Sequence, residues 1–290
     1  MMKRFSGLLI LLFTVAIPVM ASSACERPSR LRFSFFPQGQ LLNNGTLLQP
    51  MFKELSAALH IPVESVSMPS YGAVMEGLLA GSIDIARLGP ASYATVRKSN
   101  ASITPFATLV NKPDIYSVKS TVAYYSLLIV RQNSHFTIAS LKGKKLALAD
   151  PDSTSGALIP LNIFSKEIGT PLTSYFSRIG YSGSHEQSVR LVMNREVDAA
   201  FVASTSLAML TRDGAIKQND VRVLWQSQAL PHDPFVYRTQ LCADIRQKIQ
   251  KVFFDTKNPS VAATLDALHA EKFVPVADSD YQMIRDLQLY

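Results

Sequence analysis

Short apolar runs of strand length, separated by stretches with helical spacing, narrow the folds open to this chain more than any other feature. Leu31-Arg-Phe-Ser-Phe-Phe36 alternates as a strand does, and Met51, Phe52, Leu55, Ala58 and Leu59 then recur along one helical face. A helix over 72–80 follows, then a turn at Gly81-Ser82, a short strand over 83–88 and the breaker Gly89-Pro90. Residues 126–130, 145–149, 197–202 and 221–225 are further apolar runs of strand length, several divided by helical patterns. Strand, crossover helix and strand in succession predict an α/β fold with mostly parallel sheets.

The N-terminus is read apart from this pattern. Lys3 and Arg4 precede an apolar run over 8–20, and Ala21, Ser22, Ser23 and Ala24 follow, which reads as an export signal over residues 1–24. The run is broken by Pro18 and is shorter than the roughly 20 residues of a bilayer-spanning helix, so cleavage is expected. Ser22-Ser23-Ala24-Cys25 also resembles a lipoprotein processing site, with Ser22 where Leu is usual, so lipidation of Cys25 stands as an alternative. Cys25 and Cys242 are the two cysteines of the chain, and an oxidising compartment favours a disulfide between them. About 265 residues then remain, enough for one large domain or two lobes with their own cores. The formal charge falls from +7 to +5 once Lys3 and Arg4 leave, and basic residues are scattered apart from Lys142, Lys144 and Lys145. That trio reads as a solvated turn, and no nucleic-acid partner is expected. Five dispersed histidines and no Cys/His ligand spacing give no metal site, and no cofactor is expected.

The richest corner for chemistry is Asp150-Pro-Asp-Ser-Thr-Ser-Gly-Ala-Leu-Ile-Pro160, directly after the run Leu146-Ala-Leu-Ala149. A strand turning here into a helix leaves first-turn N–H groups without intrahelical partners, and the helix dipole favours negative charge beside them. Ser153, Thr154 and Ser155 add hydroxyl donors, and Gly156 permits close backbone approach. Two readings follow from the residues alone: a site for a tetrahedral oxyanion, or an ordinary N-cap with an Asx turn at Asp152. The absence of G-x-x-x-x-G-K-[ST] disfavours a nucleotide-hydrolysing loop.

One local echo bears on organisation. Tyr71-GAVMEGLLAGSIDIA and His185-EQSVRLVMNREVDAA each open a helix on an aromatic polar residue and reach an Asp, Asp84 or Asp198, in a short apolar strand. Identity is confined to that Asp and the final Ala, so coincidence stands as the alternative. A true echo predicts two similar lobes, with Tyr71 and His185 facing one cleft from opposite walls.

Tyr71-Gly-Ala-Val-Met-Glu76, Ile83-Asp-Ile-Ala86 with Gly89-Pro-Ala-Ser-Tyr93, Asp150-Pro-Asp-Ser-Thr-Ser-Gly156, Gly183-Ser-His-Glu186 and Pro231-His-Asp-Pro234 occur in a familiar order. In these motifs the chain resembles the periplasmic phosphate, phosphite and phosphonate-binding proteins, the solute receptors of ABC importers. The resemblance implies a two-lobed periplasmic-binding-protein fold of type II, with a two-segment hinge. Residues 30–124 plus 229–290 would form lobe 1 and residues 125–228 lobe 2. It places Ser153 and Thr154 on phosphorus-bound oxygens, with Ser155 at the same helix end, and matches His185, Tyr71, Tyr124 and Asp233 to cleft residues. Asp233 would accept a hydrogen bond from a protonated ligand oxygen and so select against sulfate. His185 would donate to the anion, neutral or protonated by it.

In members that bind aminoalkylphosphonates a glutamate follows the second Asp-containing strand. This chain has Val202-Ala-Ser-Thr-Ser206 there, with Thr205 near that position. The resemblance therefore implies phosphate, phosphite or a small alkylphosphonate as ligand. Arg87 replaces the aromatic usual after Ile-Ala, and the sequence leaves its place open. The expected partners are a small oxyanion and an inner-membrane ABC permease, and the expected state is a periplasmic monomer that is not an enzyme. Two alternatives are a periplasmic sensor for a membrane signalling protein, and a hydrolase using Ser153, His185 and Asp233. The hydrolase lacks a G-x-S-x-G elbow.

Overall fold

A computed structural model describes residues 25–37 and 44–288, so the expected signal segment over 1–24 lies outside the described residues. The chain first lays down β1 (Leu31–Phe35), β2 (Val63–Val66), β3 (Ile85–Arg87) and β4 (Ile103–Asn111), joined by the helices Gln49–Leu59, Tyr71–Ala80 and Pro90–Ser99. Helix Gln49–Leu59 starts with Pro50 in its first turn and buries Met51, Phe52, Leu55 and Leu59, as the spacing predicts. A short strand, β5 (Ala123–Tyr124), leads to a second sheet of β6 (Ser126–Arg131), β7 (Lys145–Leu148), β8 (Arg178–Tyr181), β9 (Ala199–Ala203) and β10 (Val221–Gln226). The chain returns along β11 (Leu230–Pro231), antiparallel to β5, and β12 (Phe235–Arg238) and β13 (Ala270–Pro275) complete the first sheet. The sheet orders are β13-β4-β12-β3-β1-β2 and β10-β6-β9-β7-β8.

The α/β class is as expected, but the sheets are mixed rather than mostly parallel. β1, β2 and β3 are parallel neighbours, as are β7, β8 and β9, and these are the strands linked through helices. β12 wedges antiparallel between β3 and β4, and β6 does the same between β9 and β10. Each wedge strand follows the β5–β11 ribbon directly or within a few residues. It therefore starts at the end where its neighbours finish and must run the other way.

Both sheets are covered on two faces, so their central strands read as continuous apolar runs. Leu127, Leu128, Ile129 and Val130 of β6 are buried, as is the whole of β9. Phe33, Phe52, Phe235 and Phe253 pack on one face of the first sheet, and Phe164, Phe201 and Trp225 on one face of the second. Of the two fates left open for Cys25, the structure has the disulfide to Cys242, with 4.8 Å between the Cα atoms. Beside it Glu26 pairs with Arg238, whose guanidinium also faces the fully buried Asp84. Lys142 and Lys144 lie on a turn as expected, Lys142 exposed and Lys144 over the Phe136 ring, while the exposed Lys145 opens β7.

The sequence echo has a structural counterpart in hydrogen bonds. Asp84 N–H donates to Arg32 O, and an Asp84 carboxylate oxygen accepts from Arg32 N–H. Asp198 makes the same pair of bonds with Lys145. The helices match as well: Ser70 Oγ accepts from Ala73 N–H and Ser184 Oγ from Gln187 N–H, both at 3.1 Å, which places Tyr71 and His185 at equivalent first helical positions.

Candidate binding site

The ends of β1, β3, β4, β7 and β9 and the starts of β6 and β12 meet around one cavity of about 250 Å³. In such sheets the crevice beyond the strand ends is where backbone N–H groups and helix starts gather. Tyr71, Tyr124, Ser153, Thr154, Ser155, His185 and Asp233 all line this cavity.

Ser153 is the cap residue of the corner helix, in extended conformation, and its Oγ accepts from Gly156 N–H at 3.1 Å. The cap reading is thus correct for one hydroxyl. The Asx-type bond is made two residues earlier than expected, by Asp150 Oδ1 accepting from Asp152 N–H. The helical stretch Thr154–Leu158 is wound as a π-helix, and a second π turn follows at Pro160–Phe164, where Pro160 has no N–H to give. The Thr154 and Ser155 N–H groups precede the first helical bond and stand at the cavity wall. Gly156 is required by packing: a Cβ there would lie 2.4 Å from Ala149 Cβ and 3.0 Å from His185 Cε1.

Thr154 Oγ1 reaches the first sheet's side and accepts from Ala91 N–H at 2.8 Å, in the first turn of the helix Pro90–Ser99. Ser92 Oγ donates to Asp152 O at 2.9 Å beside it. Two helix starts, one from each sheet, are therefore joined through the corner.

His185 Nδ1 accepts from Ala203 N–H at 3.2 Å, which puts the ring proton on Nε2, 3.4 Å from Ser153 Oγ. Burial holds this imidazole at about 4, so it is the neutral ring, with an Nε2–H donor, that faces the cavity. Burial also pushes the Tyr71 and Tyr124 phenols far up, which keeps both as hydroxyl donors. Tyr71 Oη is buried without a hydrogen-bond partner, an arrangement native interiors rarely leave unexplained.

Arg87, whose place the sequence left open, is buried in the wall and pairs with Asp233, with 3.1 Å between Nη2 and Oδ2. Its guanidinium lies over the rings of Phe36 and Phe235 at 5.9 and 5.8 Å, and its Nε is unpartnered. Burial raises the Asp233 carboxyl to about 6 against the pull of Arg87. The pair is close to neutral as a unit, so the side of the cavity around the Ser153 corner offers directed donors and the Asp233 acceptor instead of a concentrated positive charge.

A family described as ABC transporter, phosphonate, periplasmic substrate-binding protein matches residues 33–281. The chain belongs to that family. It is 27% identical over 287 residues to the Phosphonates-binding periplasmic protein of Escherichia coli (strain K12), spanning 96% of this chain and 82% of that one. It is 25% identical over 300 residues to the Phosphate-import protein PhnD of Mycolicibacterium smegmatis, spanning 93% and 91%. A solved structure of a binding protein component of an ABC phosphonate transporter from Pseudomonas aeruginosa superposes with a TM-score of 0.79 at 25% identity, covering 90% of this chain and 85% of that chain. The two-lobed α/β architecture of periplasmic binding proteins is therefore the fold of this family member.

Two further groups line the cavity that reasoning from sequence did not select. His232 is buried against Tyr124, with ring centroids 5.7 Å apart, and its Nδ1 is unpartnered. Burial, aided by Arg87, depresses it to about 3. It sits inside the quoted Pro231-His-Asp-Pro234 motif, where the signal was visible but was spent on Asp233 alone. Asn111, at the end of β4, had no motif to mark it.

Proposed function

We propose that the protein captures a phosphorus oxyanion (phosphate, phosphite or a small alkylphosphonate) between two lobes and delivers it to an ABC importer in the inner membrane. In this reading residues 30–124 with 229–290 form one lobe and 125–228 the other, and the paired β5–β11 ribbon is the hinge. The protein is exported, acts in the periplasm as a monomer, and performs no catalysis. Phosphonate or phosphate is what the relatives from Escherichia coli and Mycolicibacterium smegmatis are named for, which supports the ligand class.

The observation that carries the proposal is the set of groups facing one cavity. The free N–H groups of the Ser153 corner, the Nε2–H of neutral His185 and the unpartnered Tyr71 hydroxyl are donors fitted to ligand oxygens. Asp233 is the one carboxylate among them, already engaged by Arg87 on one oxygen. Its remaining acceptor capacity suits an oxyanion that carries a proton, as phosphate and phosphonates do near neutral pH and sulfate does not.

The hydrolase alternative lacks its chemistry here. His185 carries its proton on the nitrogen that faces Ser153 and so has no lone pair there to take one. Its other nitrogen is oriented by a backbone N–H, with Asp233 bonded to Arg87 instead.

The test is a thermal-shift panel of phosphate, phosphite, methylphosphonate, 2-aminoethylphosphonate and sulfate. Ligand present at 100 times its Kd stabilises by about 2.7 kcal/mol, which raises the midpoint measurably. Phosphorus oxyanions are expected to do so and sulfate is not. A sulfate response above every phosphorus oxyanion would reject the role given to Asp233.

A further inference from the structure

The cavity is larger than its anion-binding end requires, and the surplus has a chemical character. Sheet order fixes its direction: Phe36, Arg87 and Asp233 stand at the β1, β3 and β12 side, and Leu109 and Leu268 at the β4 and β13 side. The helix Ser204–Arg212 forms the facing wall, with Met209 in its last turn. A contact crosses between the walls at each end, Thr154 Oγ1 with Ala91 N–H at one and Arg212 Nη2 with the Ala267 carbonyl at 3.4 Å at the other, more exposed end. An apolar cavity of about 150 Å³ holds benzene, so about 250 Å³ exceeds what a phosphate or methylphosphonate fills.

At the far end Leu109, Ile115, Met209 and Leu268 supply apolar walls. The charged groups there make contacts within the protein, Asp114 through one carboxylate oxygen. Asp114 Oδ1 accepts from the N–H groups of Tyr116 and Ser117, Arg212 Nε pairs with Asp213, and His269 Nε2 lies 3.2 Å from Pro113 O. At the position near Thr205 there is no carboxylate to meet an ammonium.

Resting on the phosphorus-oxyanion reading, we infer that the preferred ligand is a phosphonate with an uncharged apolar substituent of several carbons, laid along the Ser204–Arg212 helix. Leu109, Ile115, Met209 and Leu268 determine this preference. Calorimetry with methylphosphonate, butylphosphonate and 3-aminopropylphosphonate tests it, since the last two are nearly isosteric and differ in an ammonium for a methyl. Burying the added carbons is expected to make butylphosphonate bind at least about tenfold tighter than methylphosphonate. The aminopropyl compound is expected to be at least about tenfold weaker than the butyl one. In Met209→Asp the butyl-to-methyl ratio should fall towards one; Ile115→Asp, at a half-exposed position, repeats the test with little risk to folding. Methylphosphonate binding with a ratio near one, an aminopropyl affinity equal to the butyl one, or an unchanged ratio in both variants overturns the inference and leaves the oxyanion reading intact. Binding of no phosphorus oxyanion at all removes both.

Discussion

Lowering the pH of the ligand-free protein from 7 to 5 tests the burial of the site's titratable groups. His185 and His232 sit near 4 and 3 in the folded protein against 6.5 when free. A base held below its unfolded value leaves the unfolded chain binding more protons, so stability is full above about 6.5 and is lost as the pH falls below it. Asp233 works the other way: raised to about 6 from 3.8, it gains stability as the pH falls through 6. Over this interval each histidine removes about 2 kcal/mol and Asp233 adds back about 1 kcal/mol, for a net loss of about 3 kcal/mol. Urea unfolding of the wild type and His232→Asn at both pH values isolates one histidine. Any pH-independent cost of the substitution cancels in the difference, as do the surface carboxylates common to both proteins. The loss between pH 7 and 5 should drop to about 1 kcal/mol in the variant. If His232→Asn loses as much stability as the wild type, His232 is not held neutral by burial and the electrostatic account of the site fails.

Tyr71→Phe should leave thermal stability unchanged or slightly raised, because the hydroxyl it removes is buried without a partner, while weakening phosphorus-oxyanion binding by calorimetry. Gly156→Ala should lower stability by about 1–3 kcal/mol in denaturant unfolding, since its Cβ would press on Ala149 Cβ. Arg87→Met leaves the Asp233 carboxylate buried and unpaired, and should cost about 3–5 kcal/mol at pH 7 and less at pH 5, where that carboxyl protonates. Reducing the Cys25–Cys242 disulfide should lower the unfolding free energy by about 2–5 kcal/mol, read from the shift in urea midpoint.

How much of this was legible in the sequence depends on whether a residue's neighbours along the chain are also its neighbours in space. The apolar runs that became β1, β3, β6, β7, β9 and β10 carry their own pattern and were readable within a residue or two. β4 was not, because Pro105 argues against a central strand. The structure accommodates it where the register with β12 shifts, opposite Val236. β2, β8, β12 and β13 are short or partly exposed, and little in four to six residues separates them from loops. The mixed sheet directions were invisible for a related reason: they follow from where the chain re-enters each sheet, which is a property of topology and not of local composition.

The site divides along the same line. The hydroxyl-rich corner announces itself because capping, unpaired first-turn N–H groups and close packing each leave a local mark, and here all three coincide in Ser153, Thr154 and Gly156. Arg87, His232 and Asp233 carry meaning only as a group. An arginine on β3 and an Asp at the entry to β12 are 146 residues apart, and it is the wedging of β12 against β3 that makes them a buried pair. That pairing also changes what the cleft can select. A solvated Arg87 would have attracted any anion, whereas an Arg87 compensated by Asp233 leaves discrimination to the number and direction of hydrogen bonds. On the proposed reading selectivity follows from sheet topology, and a variant that restored bare positive charge, such as Asp233→Asn, should bind sulfate better at the expense of that choice.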